Sequence, residues 1–532
     1  MHNLKEESVK EWVKQMKKSR VREKGKVRSY SKSIIRYSII LLLLFLNFIL
    51  ILLAAFYLNR LAVVVYIIFD LLSFFIAIPL VAQERNAAYK LYWMGVLLMF
   101  PIVGHIMYIL WGGMLVNKHT HMKIQSHIDR ANEYQKHDEE AVVELKNSNA
   151  DAGKISCFLE KQGYPLYGNT QIQYFEIGEK ALEDMILHLE DAKDYIFMSF
   201  FIIADGEIWE RMSEIIERKK RDGVRIYILY DDAGSVLQLS DSTVLHLKNI
   251  GIEIRNFNPV ERNYQRLFLN FRNHQKMMII DGRYAYTGGI NISDKYANLV
   301  TPFGHWKDTG IRMTGDAVYS MQLLFIGMWN AAGGKIIPAE YPLVKQEIKN
   351  GVCCQPFSDG PSNNPNNPAM DMFIHVIMSA KERVDIMTPY LIIDDAVCEI
   401  LSLASKTGIE VRLITPGVAD KKIVRLLTQR HYGPLLAAGV RIFEYTPGFV
   451  HAKLCANEFC AVIGTINMDF RSFFLHYENG VFLPEGKVLN DISMDFEETL
   501  SQCREVIYEE WRKRPIWKKV IQELLYFIKC QF

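Results

Sequence analysis

Three long apolar runs stand near the start of the chain, at 37–58, 61–82 and 91–111. Each is about the ~20 residues that a helix needs to cross the apolar layer of a bilayer. The pattern therefore predicts a membrane region over 37–113 built from three N-terminal transmembrane helices. The first run holds only Ser38 and Asn47 as notable polar residues, and it is too long and uninterrupted for the apolar part of a signal peptide. Asp70 and Pro79 interrupt the second run; Pro101, Gly104 and His105 interrupt the third. A carboxylate inside a span must face protein, water or a headgroup, but packing between helices accounts for Asp70 as well as chemistry does.

From residue 114 to 154 the pattern turns polar and predicts a helical connector. A different rhythm then begins, and it occurs twice. YIFMSFFI (Tyr195 to Ile202) reads as a buried strand, Glu207 to Asp222 has helical spacing, and Gly223 leads into the strand VRIYILYD. In the second copy VDIMTPYLII (Val384 to Ile393) precedes a helix from Ala396 to Thr407, then Gly408 and the strand EVRLITP. LKNIGIEIRNFNP (Leu247 to Pro259) is answered by LLAAGVRIFEYTP (Leu435 to Pro447). Such units predict an α/β fold of two repeated domains, 155–350 and 351–532, each with a mixed or mostly parallel sheet under helices. The Pro/Asn/Gly-rich stretch Gln355 to Pro368 reads as the linker between them. Near the C-terminus Trp517, Val520, Ile521, Leu524, Leu525 and Ile528 recur at helical spacing beside Lys518 and Lys519. A core-facing helix is the favoured reading of that stripe, and a helix lying on a membrane surface the other.

Charge changes the picture of the ends. Residues 1–36 hold 12 Lys+Arg against 4 Asp+Glu, whereas the whole chain has a net charge of only +2, so the remainder is mildly acidic. A basic tail beside an apolar run predicts a cytoplasmic N-terminus, and an acidic body argues against nucleic acid as partner. Three full crossings would then put the body outside, yet the eight cysteines form no CxxC pair and suggest a reducing compartment. One segment that fails to cross resolves the conflict, and the Pro101/Gly104 stretch is the natural suspect.

The candidate chemistry lies in NHQKMMIIDGRYAYTGGIN (Asn273 to Asn291) and VHAKLCANEFCAVIGTIN (Val450 to Asn467). His274, Lys276, Gly288 and Asn291 are answered by His451, Lys453, Gly464 and Asn467, and five residues after each Lys stands a carboxylate, Asp281 or Glu458. Alternate residues of a strand share a face, so each copy presents an imidazole and an ammonium side by side. Brought together, the halves supply two His, two Lys and two Asn around one spot, a phosphate pocket with its own base and acid. A single HxK is common; the duplication carries the specificity.

These motifs resemble the HxKxxxxD signature of the phospholipase D superfamily. RNHQKMMIIDGRYAYTGGINISDKY, HWKDTGIRMTG, YLIIDDAV and GTINMDFRSFFLHYENG resemble in particular the bacterial cardiolipin synthases, from about Leu61 to the C-terminus. Glu458 departs from the family's Asp, and His476 stands where an Asn is usual before Tyr477-Glu478. The resemblance implies duplicated phospholipase D-like domains in a pseudo-twofold pair and metal-independent phosphodiester exchange through a phosphohistidine. By the same analogy His274 is the nucleophile and His451 the general acid and then base. Lys276, Lys453, Asn291 and Asn467 hold the phosphate, and Asp281 and Glu458 support them. No cofactor is implied. Phosphatidylglycerol and cardiolipin in the cell membrane are the expected partners of a multi-pass enzyme, with no nucleic acid. Arg272, Trp306-Lys307-Asp308 and Asp469-Arg471-Ser472 flank the motifs and are further candidates for the pocket wall. Competing readings are a lipid hydrolase, a transferase to another alcohol, and a membrane scaffold with a decayed site.

Overall fold

The computed structural model describes residues 60–82, 86–112, 117–259, 270–363 and 366–531, with residue 49 in addition. The run at 37–58 and the basic tail otherwise lie outside the described residues. The first half supplies strands β1 (Tyr167–Phe175), β2 (Tyr195–Phe200), β3 (Arg225–Asp231), β4 (Glu253–Phe257), β5 (Arg272–Asn273), β6 (Met277–Ile280), β7 (Tyr284–Gly288), β8 (His305–Lys307) and β9 (Gly310–Gly315). The second supplies β10 (Val352–Asp359), β11 (Arg383–Met387), β12 (Glu410–Pro416), β13 (Arg441–Tyr445), β14 (Gly448–Val450), β15 (Leu454–Asn457), β16 (Ala461–Gly464), β17 (His476–Leu483) and β18 (Cys503–Glu505).

One mixed sheet runs through both halves in the order β18-β13-β12-β11-β15-β16-β17-β10-β1-β9-β7-β6-β2-β3-β4. Outward from the central β1–β10 pair the two sequences of strands match, β9-β7-β6-β2-β3-β4 against β17-β16-β15-β11-β12-β13, which is the pseudo-twofold repeat expected from the sequence. β2 and β3 pair in parallel, as do β11 and β12. Every residue of β2 is buried, the continuous apolar run of a strand covered on both faces.

Two boundaries differ from the expectation. Gln355 to Asp359, assigned to a linker, belong to β10, where they pair with β17. The sheet crosses the domain boundary, so the halves share a core rather than being tethered. The connector is likewise structural: Ile124, Ile128 and Ala131 of the helix Asn117–Asn132 are buried in that core. A side chain at Gly327, on the buried helix Ala317–Ala331, would reach to 3.1 Å from Ile128 Cα, so glycine here lets the two helices approach.

The apolar segments behave differently from three simple spans. Among the described residues no helix is long and apolar enough to cross a membrane. The second run forms a helix over Arg60–Val81, in which the side chains of 60–63 and 66 are not described. The third run breaks at Phe100 into helices Ala87–Met99 and Pro101–Trp111. Pro101 at the first turn of the new helix suits its missing N–H, and the chain folds back there. Tyr89 Oη donates to Gly112 O at the base of the hairpin, the Trp93 and Tyr108 rings meet at 5.3 Å, and Ser73 Oγ of the preceding helix donates to Leu97 O near its tip. Arms of 13 and 11 residues rise about 20 and 17 Å, well short of the ~30 Å apolar layer.

At the other end, Leu525 of the stripe read as core-facing packs against a buried cluster, but most of the stripe is not in the core. On the helix Ile516–Phe527 it is Gln522 that is buried, while Ile516, Trp517, Val520, Leu524 and Phe527 are exposed.

Candidate active site

Each HxK segment is placed by strand pairing with the opposite half. β5 runs parallel to the start of β17, with Asn273 opposite Tyr477, and the His274 N–H then donates to Tyr477 O at 2.8 Å. β14 runs parallel to β8, with Val450 opposite Lys307, and the His451 N–H donates to Lys307 O at 2.7 Å. The residue that follows each acceptor is an acid. His274 Nδ1 donates to both oxygens of Glu478, at 2.8 and 2.9 Å, and His451 Nδ1 donates to Asp308 Oδ2 at 2.6 Å. The acids are crossed: each half orients the other's histidine. With the proton held on Nδ1, each Nε2 keeps its lone pair.

The acids are themselves braced, in different ways. Ser472 Oγ donates to Glu478 at 2.7 Å, and the Thr465 hydroxyl donates to its other oxygen. In the first half Gly289 stands where the second half has Thr465. A side chain there would sit 2.0 Å from Asp308 Oδ1, so the glycine makes room for the acid, and the Thr309 N–H donates to it instead, at 2.9 Å.

Lys276 and Lys453 follow on the same faces and are almost wholly buried. Lys276 Nζ donates to His274 O at 2.6 Å; Lys453 Nζ donates to His451 O and lies 2.9 Å from His451 Nδ1. Burial lowers these ammonium groups to about 7 and about 8, because desolvation disfavours the charged form by more than the nearby Glu478 and Asp308 carboxylates favour it. Burial also holds both histidines well below their ordinary value, with Lys276 and Lys453 adding to the effect on each. Both cations act on both histidines, so the two HxK segments share one electrostatic site. Asp308 is raised by burial to about 7. Two histidines and two lysines thus converge on one buried site, a set suited to a single anionic phosphate.

Aromatic rings line it. Phe201 lies edge-on to His274 at 5.0 Å, and His451 is flanked by Trp306 at 5.0 Å and Tyr296 at 5.4 Å. Asn291 is buried but engaged, accepting from the Ile202 N–H at 2.9 Å and donating to Tyr296 Oη at 2.7 Å. Asn467 is also buried, and its Oδ1 has no hydrogen-bond partner among the described residues.

The motif carboxylates fall elsewhere. Asp281 ends β6, about 15 Å of strand beyond Lys276, and its carboxylate accepts the backbone N–H groups of Lys193, Asp194 and Tyr195 at 2.7–2.9 Å. Glu458 does the same work at the end of β15, accepting the Lys381 and Glu382 N–H groups. Both clasp the turn before the neighbouring strand, β2 or β11, and neither touches the pocket. The expectation that they support the phosphate-holding residues is thus corrected: they hold turns of the scaffold instead. Asp308 and Glu478 take the supporting role that the motif suggested for them; the signal that could have found them is the aligned pair HWKD and HYE, each an aromatic segment ending on an acid.

Other flanking residues divide. Arg272 bonds Asn258 O and Asp231, and Lys307 pairs with Asp495 at 2.7 Å, both structural. Ser472 holds Glu478, as above. Arg471 Nε donates to His476 Nε2 at 3.2 Å, and the His476 ring lies 5.2 Å from that of His274. Among the described residues, His274, His476 and Glu478 form the group able to gather on a metal ion, their donor atoms lying within 4.8 Å of one another. An ion there would compete with the hydrogen bond that orients His274.

Two half-sites that complete one pocket by exchanging acids across a duplicated sheet are the arrangement of a phospholipase D-like protein. The family model described as "Cardiolipin synthase, PLD-like domain" matches residues 185–301 and 373–500, once in each half, and "Phospholipase D-nuclease N-terminal" matches 62–113. An uncharacterized protein of Streptococcus mutans is 34% identical over 454 residues, 83% of this chain and 96% of its own. A cardiolipin synthase of Listeria welshimeri is 32% identical over 479 residues, 87% of this chain and 98% of its own, and one of Geobacillus kaustophilus 31% over 457, 85% and 90%. The chain belongs to the bacterial cardiolipin synthase family of the phospholipase D superfamily. The crystal structure of phosphatidylserine synthase from Haemophilus influenzae superposes with a TM-score of 0.54 at 14% identity, covering 72% of this chain and all of that one, which shows the shared fold.

Proposed function

We propose that the protein is a membrane-associated phosphatidyltransferase that converts two molecules of phosphatidylglycerol into cardiolipin and glycerol. The observation that carries the reading is the pair of crossed histidine–acid contacts in one cationic pocket, together with membership of the family. His274 Nε2 attacks the phosphorus of the first phosphatidylglycerol. A P–N bond forms, the P–O bond to glycerol breaks, and a proton from His451 Nε2 goes to the departing oxygen. The entering phosphate supplies the negative charge that favours protonation of His451 and of both lysines. The headgroup hydroxyl of a second phosphatidylglycerol then gives its proton to His451 and attacks phosphorus, and the P–N bond breaks. Lys276 and Lys453 stabilise the phosphoryl oxygens through both steps. The bond broken resembles the bond made, so the exchange needs no nucleotide.

The membrane reading rests on the apolar runs and on the hairpin. The arms of the hairpin are too short to cross, so it would enter and leave an apolar layer on one face, and Ser73 ties it to the helix Arg60–Val81.

Purified protein in liposomes with headgroup-labelled phosphatidylglycerol, without nucleotide, tests the reaction. Cardiolipin formed in step with glycerol supports the transfer; phosphatidic acid with glycerol and no cardiolipin makes water the acceptor and a hydrolase the answer.

A further inference from the structure

We infer that the helix Ile516–Phe527 is a membrane-docking element that lies in the headgroup region of an anionic bilayer, forming one apolar face with the Ala87–Trp111 hairpin. The inference rests on the membrane reading above but not on the reaction assigned to the pocket. Ile516 is 74% exposed and Leu524 67%, and Val520 and Trp517 share their side of the helix. The opposite side is held by the protein, where Gln522 Nε2 donates to Leu426 O at 3.0 Å, and at the edge of the stripe Glu523 pairs with Arg430 at 2.6 Å. The helix is therefore fixed on the body with its apolar stripe outward, an orientation that water alone does not favour.

Two observations identify the occupant. The first is continuity. Phe527 packs into the space a side chain at Gly95 would fill, its ring 6.1 Å from that of Tyr92, so the helix lies directly against the hairpin, whose Leu91, Leu98 and Ile106 are also exposed. A further tie, Asn86 Nδ2 donating to Asp394 at 3.3 Å, fastens the hairpin to the second half. The second is charge. Residues 511–519, WRKRPIWKK, carry five basic side chains and no acidic one, the complement of a surface of phosphatidylglycerol headgroups. An apolar stripe bordered by Lys and Arg and begun by an exposed Trp fits the boundary between headgroups and acyl chains.

The surface also connects to the pocket. Gln531 O, just past the helix, accepts from Arg471 Nη1, and the same guanidinium reaches His476 beside His274. Docking thus bears on a segment three contacts from His274, through Arg471 and His476.

The test uses the full chain in liposomes containing phosphatidylglycerol and lipids with spin-labelled acyl chains. An environment-sensitive fluorophore is attached at Val520→Cys or Leu524→Cys. Blue-shifted emission quenched by labels near the headgroup end is expected. Emission like that in water, with no quenching at either position, overturns the inference whatever lipid chemistry the protein performs. A second measurement uses Val520→Glu/Leu524→Glu. Turnover of phosphatidylglycerol in bilayers is expected to fall about fivefold or more while turnover in detergent micelles stays unchanged; equal rates in bilayers overturn the inference. Loss of both rates marks a misfolded variant and leaves the decision to the fluorophores.

Discussion

Replacing Glu478 with Gln tests the crossed-acid reading most sharply, because the HxKxxxxD motif alone would direct attention to Glu458. Glu478 is fully buried, receives the Nδ1–H of His274 at 2.8 Å, and accepts hydroxyls from Ser472 and Thr465. Glutamine keeps the shape but removes the charge, and its amide N–H₂ can face the imidazole. A charge-assisted hydrogen bond contributes about 1.5–3 kcal/mol, or about 10- to 150-fold in rate if it is made mainly to the charged transition state. Stabilising the wrong tautomer, with the proton on Nε2, removes the nucleophilic lone pair as well; the corresponding change in a serine-protease triad costs about 10⁴ in turnover. Glu478→Gln is therefore expected to lower turnover by about 10²–10⁴. Glu458→Gln should stay within about twofold, because an exposed side-chain amide oxygen still accepts the Lys381 and Glu382 N–H groups. The assay is release of labelled glycerol from phosphatidylglycerol bilayers, with circular dichroism to confirm folding. Near-parental turnover in Glu478→Gln, or loss of more than about tenfold in a folded Glu458→Gln, would refute the reasoning.

Gly289→Ala places a methyl carbon 2.0 Å from Asp308 Oδ1; displacement of the acid should cost about 10²-fold or more in turnover, read in the same assay with thermal unfolding as the control. The free pocket holds Lys276 near 7 and Lys453 near 8. Bound phosphate raises both, so substrate binding takes up protons, and apparent affinity should weaken as pH rises through 7 to 9. Calorimetry in buffers of different ionisation enthalpy checks the proton uptake, and flat binding across that range contradicts it. Zinc ions gathered by His274, His476 and Glu478 should inhibit, with relief by a chelator and less inhibition in His476→Asn; inhibition unchanged in that variant places the ion elsewhere.

Much of the fold was legible because its signals are local. The repeat of strand, helix and strand, with Gly223 and Gly408 in positive-φ turns before β3 and β12, reads directly from hydrophobic rhythm. The HxK spacing brings each His and Lys together, but residues 274–276 and 451–453 lie between strands rather than within one, and each Lys reaches back to its histidine's carbonyl. What could not be read was contact between distant segments. Asp308 and Glu478 lie 143 and 204 residues from the histidines they hold, and nothing in the spacing of either motif points to them. Asp281 and Glu458 misled for the opposite reason: five residues after a lysine is close in sequence, yet an extended strand carries that distance out of the pocket. The terminal stripe shows a further limit. Periodicity identifies an amphipathic helix but not the medium its apolar side meets, and Ile516–Phe527 turns that side outward.

Crossing the acids has a consequence for how such a site can exist. Neither half contains a complete histidine–acid pair: the first holds His274 with Asp308, the second His451 with Glu478, and each acid serves the other histidine. A half folded alone would leave its acid without the histidine that it orients. β5 on β17 and β14 on β8 set the register that brings each histidine beside its acid, and the continuous β1–β10 junction fixes the halves at the distance this requires. Catalysis then depends on the junction as much as on the motifs. Once the halves share a chain they are also free to diverge, and Gly289 against Thr465 records it: one acid is accommodated by an absent side chain, the other gripped by a hydroxyl. Glu478, with two hydroxyl donors and both oxygens on His274, is held the more firmly. That suits the role proposed for His274, because an imidazole that bonds phosphorus must keep its Nε2 lone pair aimed through two successive displacements, whereas an acid–base histidine has only to pass a proton.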